Sequence, residues 1–298
     1  MASVGAKAFN LVLRFGGIGK GFLDEKNARA EVAKDRTKGP AKPGSWIQKN
    51  CELEEFRIDG HPNFTITPCN TDSNLHVIFF HGGGYAYSIT DFHWKFIAQL
   101  IKRTGASITV PLYPKAPEQD WTASYPVMLN LYDQLLDKAD PKNIVFMGDS
   151  AGAGWSLGLA QMLRDRGKPL PGKLVLLSPW LDAEAKNPMQ PAIESKDHIL
   201  SIDGIRAMGR WWAGPDNGPA DFPISPIHAS LENLPPMIVF SGTHDILHPD
   251  TLALQRKADA AGIALDCHIY PEMQHDWILF PIREARQAID QLVGFLER

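Results

Sequence analysis

The sequence predicts an α/β fold: a mostly parallel sheet with helices on both faces. Three observations carry this. Short apolar runs recur along the 298 residues, stretches of helical periodicity separate most of them, and no Gly/Pro/Ser-rich linker divides the chain. Strands covered on both faces read as continuous apolar runs, and strands alternating with helices join in parallel.

Leu53–Ile58 and Phe64–Pro68 read as two strands joined through Asp59-Gly60, an antiparallel edge. His76–Phe80, Ser107–Pro111, Asn143–Met147, Lys173–Ser178, Met237–Ser241 and Asp266–Tyr270 bring the set to eight strands. Helical patterns fall at Phe92–Arg103, Pro126–Lys138, Ala151–Arg166, Thr251–Ala261 and Arg283–Leu296. Two regions stand outside this rhythm, residues 1–48 and 181–222. Neither has strand character, and both are expected to form a helical cap over the C-terminal strand ends, where open α/β sheets place their sites. The reading is one domain, 1–298, with that cap.

Composition narrows the function classes. The chain is 44% hydrophobic and 21% charged, with a net charge of −4 and scattered basic residues. No Lys/Arg cluster suits nucleic acid or an anionic membrane. Cys51, Cys69 and Cys267 lie far apart, which suits a reducing compartment better than a disulfide framework. Arg14 interrupts the apolar stretch Phe9–Phe15, so no signal peptide is expected there. No run reaches the roughly 18 apolar residues of a membrane span. A cytoplasmic protein without a membrane or nucleic-acid partner is the expectation. His61, His81 and His93 are not spaced as a ligand pair and no HExxH occurs, so neither metal nor cofactor is expected.

The chemistry is read from four segments. Gly148-Asp149-Ser150-Ala151-Gly152 matches G-x-S-x-G between a strand and a helix, the context that lifts a nucleophilic serine out of a sharp, strained turn. Ser150 is the candidate nucleophile. His81-Gly82-Gly83-Gly84 follows another strand, and its glycines free backbone N–H groups for an oxyanion. Gly82, Gly83 and Ala151 are the expected donors, with His81 holding the loop. Asp245 follows the strand Met237–Ser241 and His275 follows Asp266–Tyr270, giving the order Ser, Asp, His. His275 is the candidate base and Asp245 its orienting acid. Asp250 is the first reserve for the acid, and Asp276 also competes. His244, His248 and His268 lie near enough in sequence to be rivals of His275. A histidine base predicts activity that falls below about pH 6–7. Tyr85, Tyr87, Trp211 and Trp212 either line a substrate pocket or pack the interior.

These residues resemble the hormone-sensitive-lipase-like branch of the α/β-hydrolases. HGGG at His81–Gly84 and GDSAG at Gly148–Gly152 carry the likeness. Pro111–Glu118, Pro179-Trp180-Leu181-Asp182, Ile224-Ser225-Pro226 and Leu234-Pro235-Pro236 extend it from about Leu75 to the C-terminus. Ala153 departs from the family's usual glycine and Lys115 from its leucine, while Glu118 looks like a loop anchor. The resemblance implies the α/β-hydrolase fold and a carboxylesterase for short to medium acyl chains, acting without a cofactor on a small-molecule ester. Amidase, formamidase, lactonase or a non-catalytic ligand-binding relative are the alternatives. A homodimer through the last strand, Asp266–Tyr270, is a further expectation.

Overall fold

The computed structural model describes residues 2–298 and contains one sheet of eight strands. They are β1 (Cys51–Ile58), β2 (His61–Pro68), β3 (His76–Phe80), β4 (Ser107–Pro111), β5 (Ile144–Asp149), β6 (Lys173–Leu177), β7 (Met237–Gly242) and β8 (Leu265–Tyr270). Their order is β1-β2-β4-β3-β5-β6-β7-β8. β2 runs antiparallel to β1 and β4, and every other neighbour is parallel. The chain moves from β3 to β4 on one side, then crosses back to β5 on the other. That reversal opens a crevice at the C-terminal ends of β3 and β5, the place such sheets hold their ligands.

The helices are α1 (Val4–Gly16), α2 (Glu25–Lys38), α3 (Ser45–Asn50), α4 (Asp91–Thr104), α5 (Trp121–Leu136), α6 (Ala151–Asp165), α7 (Pro191–Glu194), α8 (Ile202–Ala213), α9 (His248–Ala261) and α10 (Arg283–Glu297). The core lies where they cover the sheet. Phe79, Phe80, Phe146 and Phe240 are fully buried there. Each such side chain contributes roughly 1.5–3 kcal/mol through removal from water.

Sequence signals explain most boundaries. Thr90 caps α4: its side chain meets the backbone of His93, while its own N–H donates to His93 Nδ1 at 2.9 Å. α5 begins five residues before the expected Pro126, because the Asp120 carboxylate accepts from Thr122 N–H at 2.9 Å and starts the helix there. The proline then costs one internal hydrogen bond, which a capped, well-packed helix tolerates. α9 likewise starts at His248 with Pro249 in its first turn, ahead of the expected Thr251. β1 and β2 run longer than their apolar cores because the ladder continues to the pair Cys51 and Pro68.

The two regions outside the sheet pack on one another. Ser201 Oγ donates to Phe22 O at 2.7 Å, joining the start of α8 to the turn that precedes α2. A Cβ on Gly204 would fall 1.7 Å from Phe22 O, so only glycine permits this approach. α2 is tied in turn to the loop after β3. Asp35 accepts from Ser88 N–H at 3.1 Å and from its hydroxyl at 2.7 Å. Arg36 donates to Ala86 O at 2.7 Å, to Ala116 O at 2.9 Å and to Glu118 Oε2 at 2.9 Å. Glu118 therefore does anchor its loop, to a helix from the N-terminal region.

Candidate active site

β5 ends at Asp149 and α6 begins at Ala151, which leaves Ser150 alone to make the turn. Its backbone takes φ 52°, ψ −119°, a conformation that costs a non-glycine residue of order 1–3 kcal/mol. Neighbouring glycines allow it. A Cβ on Gly152 would lie 1.8 Å from Phe80 O, and one on Gly148 would lie 2.3 Å from Gly152. Ser150 N–H donates to Leu177 O at 2.8 Å, and its carbonyl accepts from Trp180 N–H at 3.0 Å. The end of β6 and the loop after it thus grip the turn, with Ser150 Oγ at the crevice.

His275 arrives from the loop after β8. Its Nε2 lies 2.9 Å from Ser150 Oγ, and its Nδ1 lies 2.9 Å from Asp245 Oδ2. An ionised carboxylate only accepts, so Nδ1 carries the hydrogen and Nε2 can accept from the serine hydroxyl. Asp245 follows β7, and its other oxygen accepts from Leu247 N–H at 2.9 Å. All three side chains are buried, Ser150 being 5% exposed.

The rivals stand elsewhere. Asp250 sits in the first turn of α9 and accepts from Asn187 Nδ2 at 2.8 Å. Burial pushes its carboxyl up to about 7, and it makes no hydrogen bond to a histidine. His248 Nδ1 faces Ser241 Oγ at 3.0 Å, and His268 stacks on Phe240 with centroids 5.0 Å apart. His244 lies in a cavity with His198, Glu272 and Gln274, on another face of the loop.

The glycine loop corrects one expectation. Gly82 N–H donates to Asp149 Oδ2 at 3.0 Å, so it is not free for an oxyanion. A Cβ on Gly82 would fall 2.2 Å from that same oxygen. Among the described residues, the N–H groups of Gly83, Gly84 and Ala151 have no hydrogen-bond acceptor. Gly84, with its N–H free, is the candidate donor in the place foreseen for Gly82. Gly83 and Gly84 have φ 109° and 61°, values that favour glycine.

Asp149 also accepts from His93 Nε2 at 3.1 Å. Since His93 Nδ1 already accepts from Thr90 N–H, the ring hydrogen sits on Nε2. One buried carboxylate thus joins α4, the nucleophile turn and the glycine loop. Its pKa is lowered: burial opposes ionisation, but His93 and the Gly82 N–H outweigh it. His81 completes the support. Its Nδ1 lies 2.8 Å from Gly82 O and its ring stacks on Tyr113 with centroids 4.5 Å apart. Burial lowers its pKa to about 3, which keeps it neutral.

Acidic groups crowd the base. Asp276 Oδ2 is 3.2 Å from His275 Nε2. Asp197 accepts from Ile246 N–H at 2.9 Å and from Ile199 and Leu200 N–H at 2.8 and 2.9 Å. Burial raises the Asp197 carboxyl to about 7. Burial alone would depress the His275 imidazolium. Asp276, Asp245 and Asp197 more than offset this and push its pKa up to about 10. The ring therefore holds its proton to a higher pH than the ordinary imidazole on which the expected limb at pH 6–7 rests.

The aromatic pocket expected from sequence is also corrected. Tyr85 stacks on Trp212 with centroids 4.2 Å apart, and Trp212 is 0% exposed. With Trp155, Trp180 and Tyr125 they form an interior cluster behind the nucleophile. Trp211 packs against α2, under the Arg29 guanidinium at 4.9 Å. The cavity that does open beside Gly83 has a volume of about 510 Å³. Phe22, Tyr87, His93, Glu31 and Asp35 help line it. Of the aromatic residues read from the sequence, only Tyr87 reaches it.

Sequence reasoning passed over Gly84, Asp149, His93 and Asp197. Asp149 was visible inside the G-x-S-x-G motif, but a variable position gives no hint of a partner. Asp197 carried no local signal.

Comparison with known proteins agrees with this geometry. Residues 77–279 match the profile of a family described as the alpha/beta hydrolase fold. An acetyl-hydrolase of Streptomyces hygroscopicus is 32% identical over 235 residues, 78% of each chain. An esterase of Acinetobacter venetianus is 28% identical over 222 residues, 74% of this chain and 73% of its own. A crystal structure of an esterase from the bacterial hormone-sensitive lipase family superposes with a TM-score of 0.84. It is 26% identical and covers 99% of this chain and 98% of its own. The chain belongs to the α/β-hydrolase fold family, in its hormone-sensitive-lipase-like branch, and is a carboxylic ester hydrolase. No helix among the described residues is long and apolar enough to cross a membrane.

Proposed function

We propose that the protein is a serine carboxylesterase for short- to medium-chain acyl esters, working through Ser150, His275 and Asp245. The carrying observation is the unbroken chain from Ser150 Oγ to His275 to Asp245, with both links at 2.9 Å. Ser150 Oγ attacks the ester carbonyl while His275 Nε2 takes its proton, and Asp245 stabilises the imidazolium. The N–H groups of Gly83, Gly84 and Ala151 receive the oxyanion. His275 returns the proton to the departing alcohol, leaving an acyl-Ser150 ester. Water then attacks that ester, His275 again serving as base, and the acid is released.

The cavity beside Gly83 supports an acyl site with an apolar wall at Phe22 and Tyr87. The acetyl-hydrolase relative points to the short end of the range. Residues 1–48 and 181–222 form the cap in this reading. Met208 of α8 and Phe22 stand over Gly84: a Cβ there would meet Met208 Sδ at 2.4 Å. β8 is the outer strand of its sheet edge and offers the surface for a homodimer.

Hydrolysis of p-nitrophenyl acetate, butyrate and octanoate by wild type and Ser150→Ala tests the proposal. Turnover lost in the variant with retained fold, and falling from butyrate to octanoate, is expected. Turnover retained by Ser150→Ala sinks the nucleophile assignment. Faster cleavage of a matching p-nitroanilide would make the protein an amidase instead.

A further inference from the structure

We propose that Asp276 is a second acidic partner of His275, acting on its Nε2 side, and that it sets the pH at which the enzyme becomes active. The inference rests on the reading of His275 as the base.

The geometry is unusual for a residue adjacent in sequence to a base. Asp276 takes a left-handed backbone conformation, φ 52°, and its N–H donates to Ser178 Oγ at 3.1 Å. That turns its carboxyl back toward the imidazole. Oδ2 reaches within 3.2 Å of Nε2, the nitrogen that also faces Ser150 Oγ at 2.9 Å. Oδ1 is buried without a hydrogen-bond partner among the described residues. Among the described residues, His275 is the one partner of this carboxyl, which lies beside the space between His275 and Ser150.

An ionised carboxylate and a neutral imidazole would meet lone pair to lone pair. One proton shared between Asp276 and Nε2 removes that conflict. With the proton on nitrogen, the base is already charged. With the proton on oxygen, the carboxylic acid donates to Nε2 and competes with Ser150. In both arrangements the proton must pass to solvent before Nε2 can accept from Ser150. Activity therefore appears at a higher pH than for a histidine without this neighbour. During acyl transfer the same carboxylate, now ionised, faces the Nε2–H of the imidazolium and stabilises it.

Other charged groups bear on the ring. Asp245 comes from the loop after β7, Asp197 from the segment between β6 and α8, and Asp149 from the end of β5, where it acts on Asp276. All are acidic and favour the protonated ring. Burial raises the Asp276 carboxyl itself well above the carboxylate range, which fits a proton held in the pair. Asp276 alone among them touches the reacting nitrogen, and Asp276→Asn removes its charge while keeping its shape.

The experiment is kcat/KM for p-nitrophenyl butyrate across about pH 5 to 11 for wild type, Asp276→Asn and Asp276→Gly. Asn and Gly both tolerate the left-handed backbone, so a misfolded Asn variant leaves the Gly variant to decide. The wild-type acid limb should lie above the ordinary histidine value of 6.5. In the folded variants it should move down by at least about one pH unit, roughly a tenfold gain on the acid side of the limb. Acid limbs that coincide in wild type and a folded variant overturn the proposal. Ser150→Ala runs alongside: if it stays active, the triad reading has failed. If it is dead and the limb has not moved, only the role of Asp276 has.

Discussion

Gly82 gives its backbone N–H to Asp149 Oδ2 at 3.0 Å, so the residue before Ser150 fixes the first glycine of the loop after β3. Asp149 holds His93 with the same oxygen. Replacing it by alanine strands both donors in a buried site. Hydrogen bonds to a charged group typically carry about 1.5–3 kcal/mol, and a loss of stability in that range is expected. Donors displaced by about 1 Å can cost about 10²-fold in rate. Asp149→Ala should therefore lower kcat by about that factor with little change in KM. Unchanged kcat in the folded variant would mean that the loop holds its shape without the carboxylate.

Asp245 and Asp250 differ by a measurable ranking. Asp245→Asn should lower kcat by about 10⁴-fold, since the imidazole loses its orienting acceptor and can take the wrong tautomer. Asp250→Asn should stay within a few-fold of wild type. A reversed ranking would move the acid role to α9.

Asp250 has a separate signature in stability. Burial raises its folded pKa from 3.8 to about 7. Between those values the folded state binds more protons than the unfolded state, so stability falls as pH rises through that window. Asp250→Asn removes this contribution. Its chemical-denaturation midpoint, followed from pH 4 to pH 7, should decline less steeply than that of wild type. Parallel curves would show that Asp250 ionises freely.

Trp212 separates packing from substrate contact. The ring is fully buried against Tyr85. Trp212→Ala should cost about 3–5 kcal/mol in unfolding free energy. It should leave the ranking of acyl chain lengths as in wild type. Tyr87→Ala, which alters the cavity wall, should change that ranking. If Trp212→Ala changes it more, the pocket lies on the other side of the oxyanion loop.

What the sequence could show follows from what each signal depends on. Strands such as Met237–Gly242 were legible because a strand buried on both faces must be apolar throughout. Ser150 was legible because its turn demands glycines at fixed offsets. Gly82 was misread for a physical reason: an occupied N–H and a free one look identical in sequence. The partner of Gly82 lies 67 positions away. Tyr85 and Trp212 were ambiguous because aromatic residues suit a pocket wall and an interior equally well. Asp276 was considered only as a rival acid. Its left-handed turn, which brings the carboxyl to the opposite nitrogen of the ring, leaves no trace in its residue type.

Ser150 and His275, which it faces, are 125 positions apart along the chain, and His275 lies 30 positions from Asp245. The ends of β5, β7 and β8 must be in register before those links can close. Esterase activity is therefore a report on the finished topology: helices and local turns can form first, but they recover no turnover. Chains dominated by such distant pairings fold slowly, because loop closure must precede the contacts that reward it. During refolding, regained hydrolysis should lag behind regained helix, and a fragment ending before residue 275 would be silent however well folded its remaining parts were.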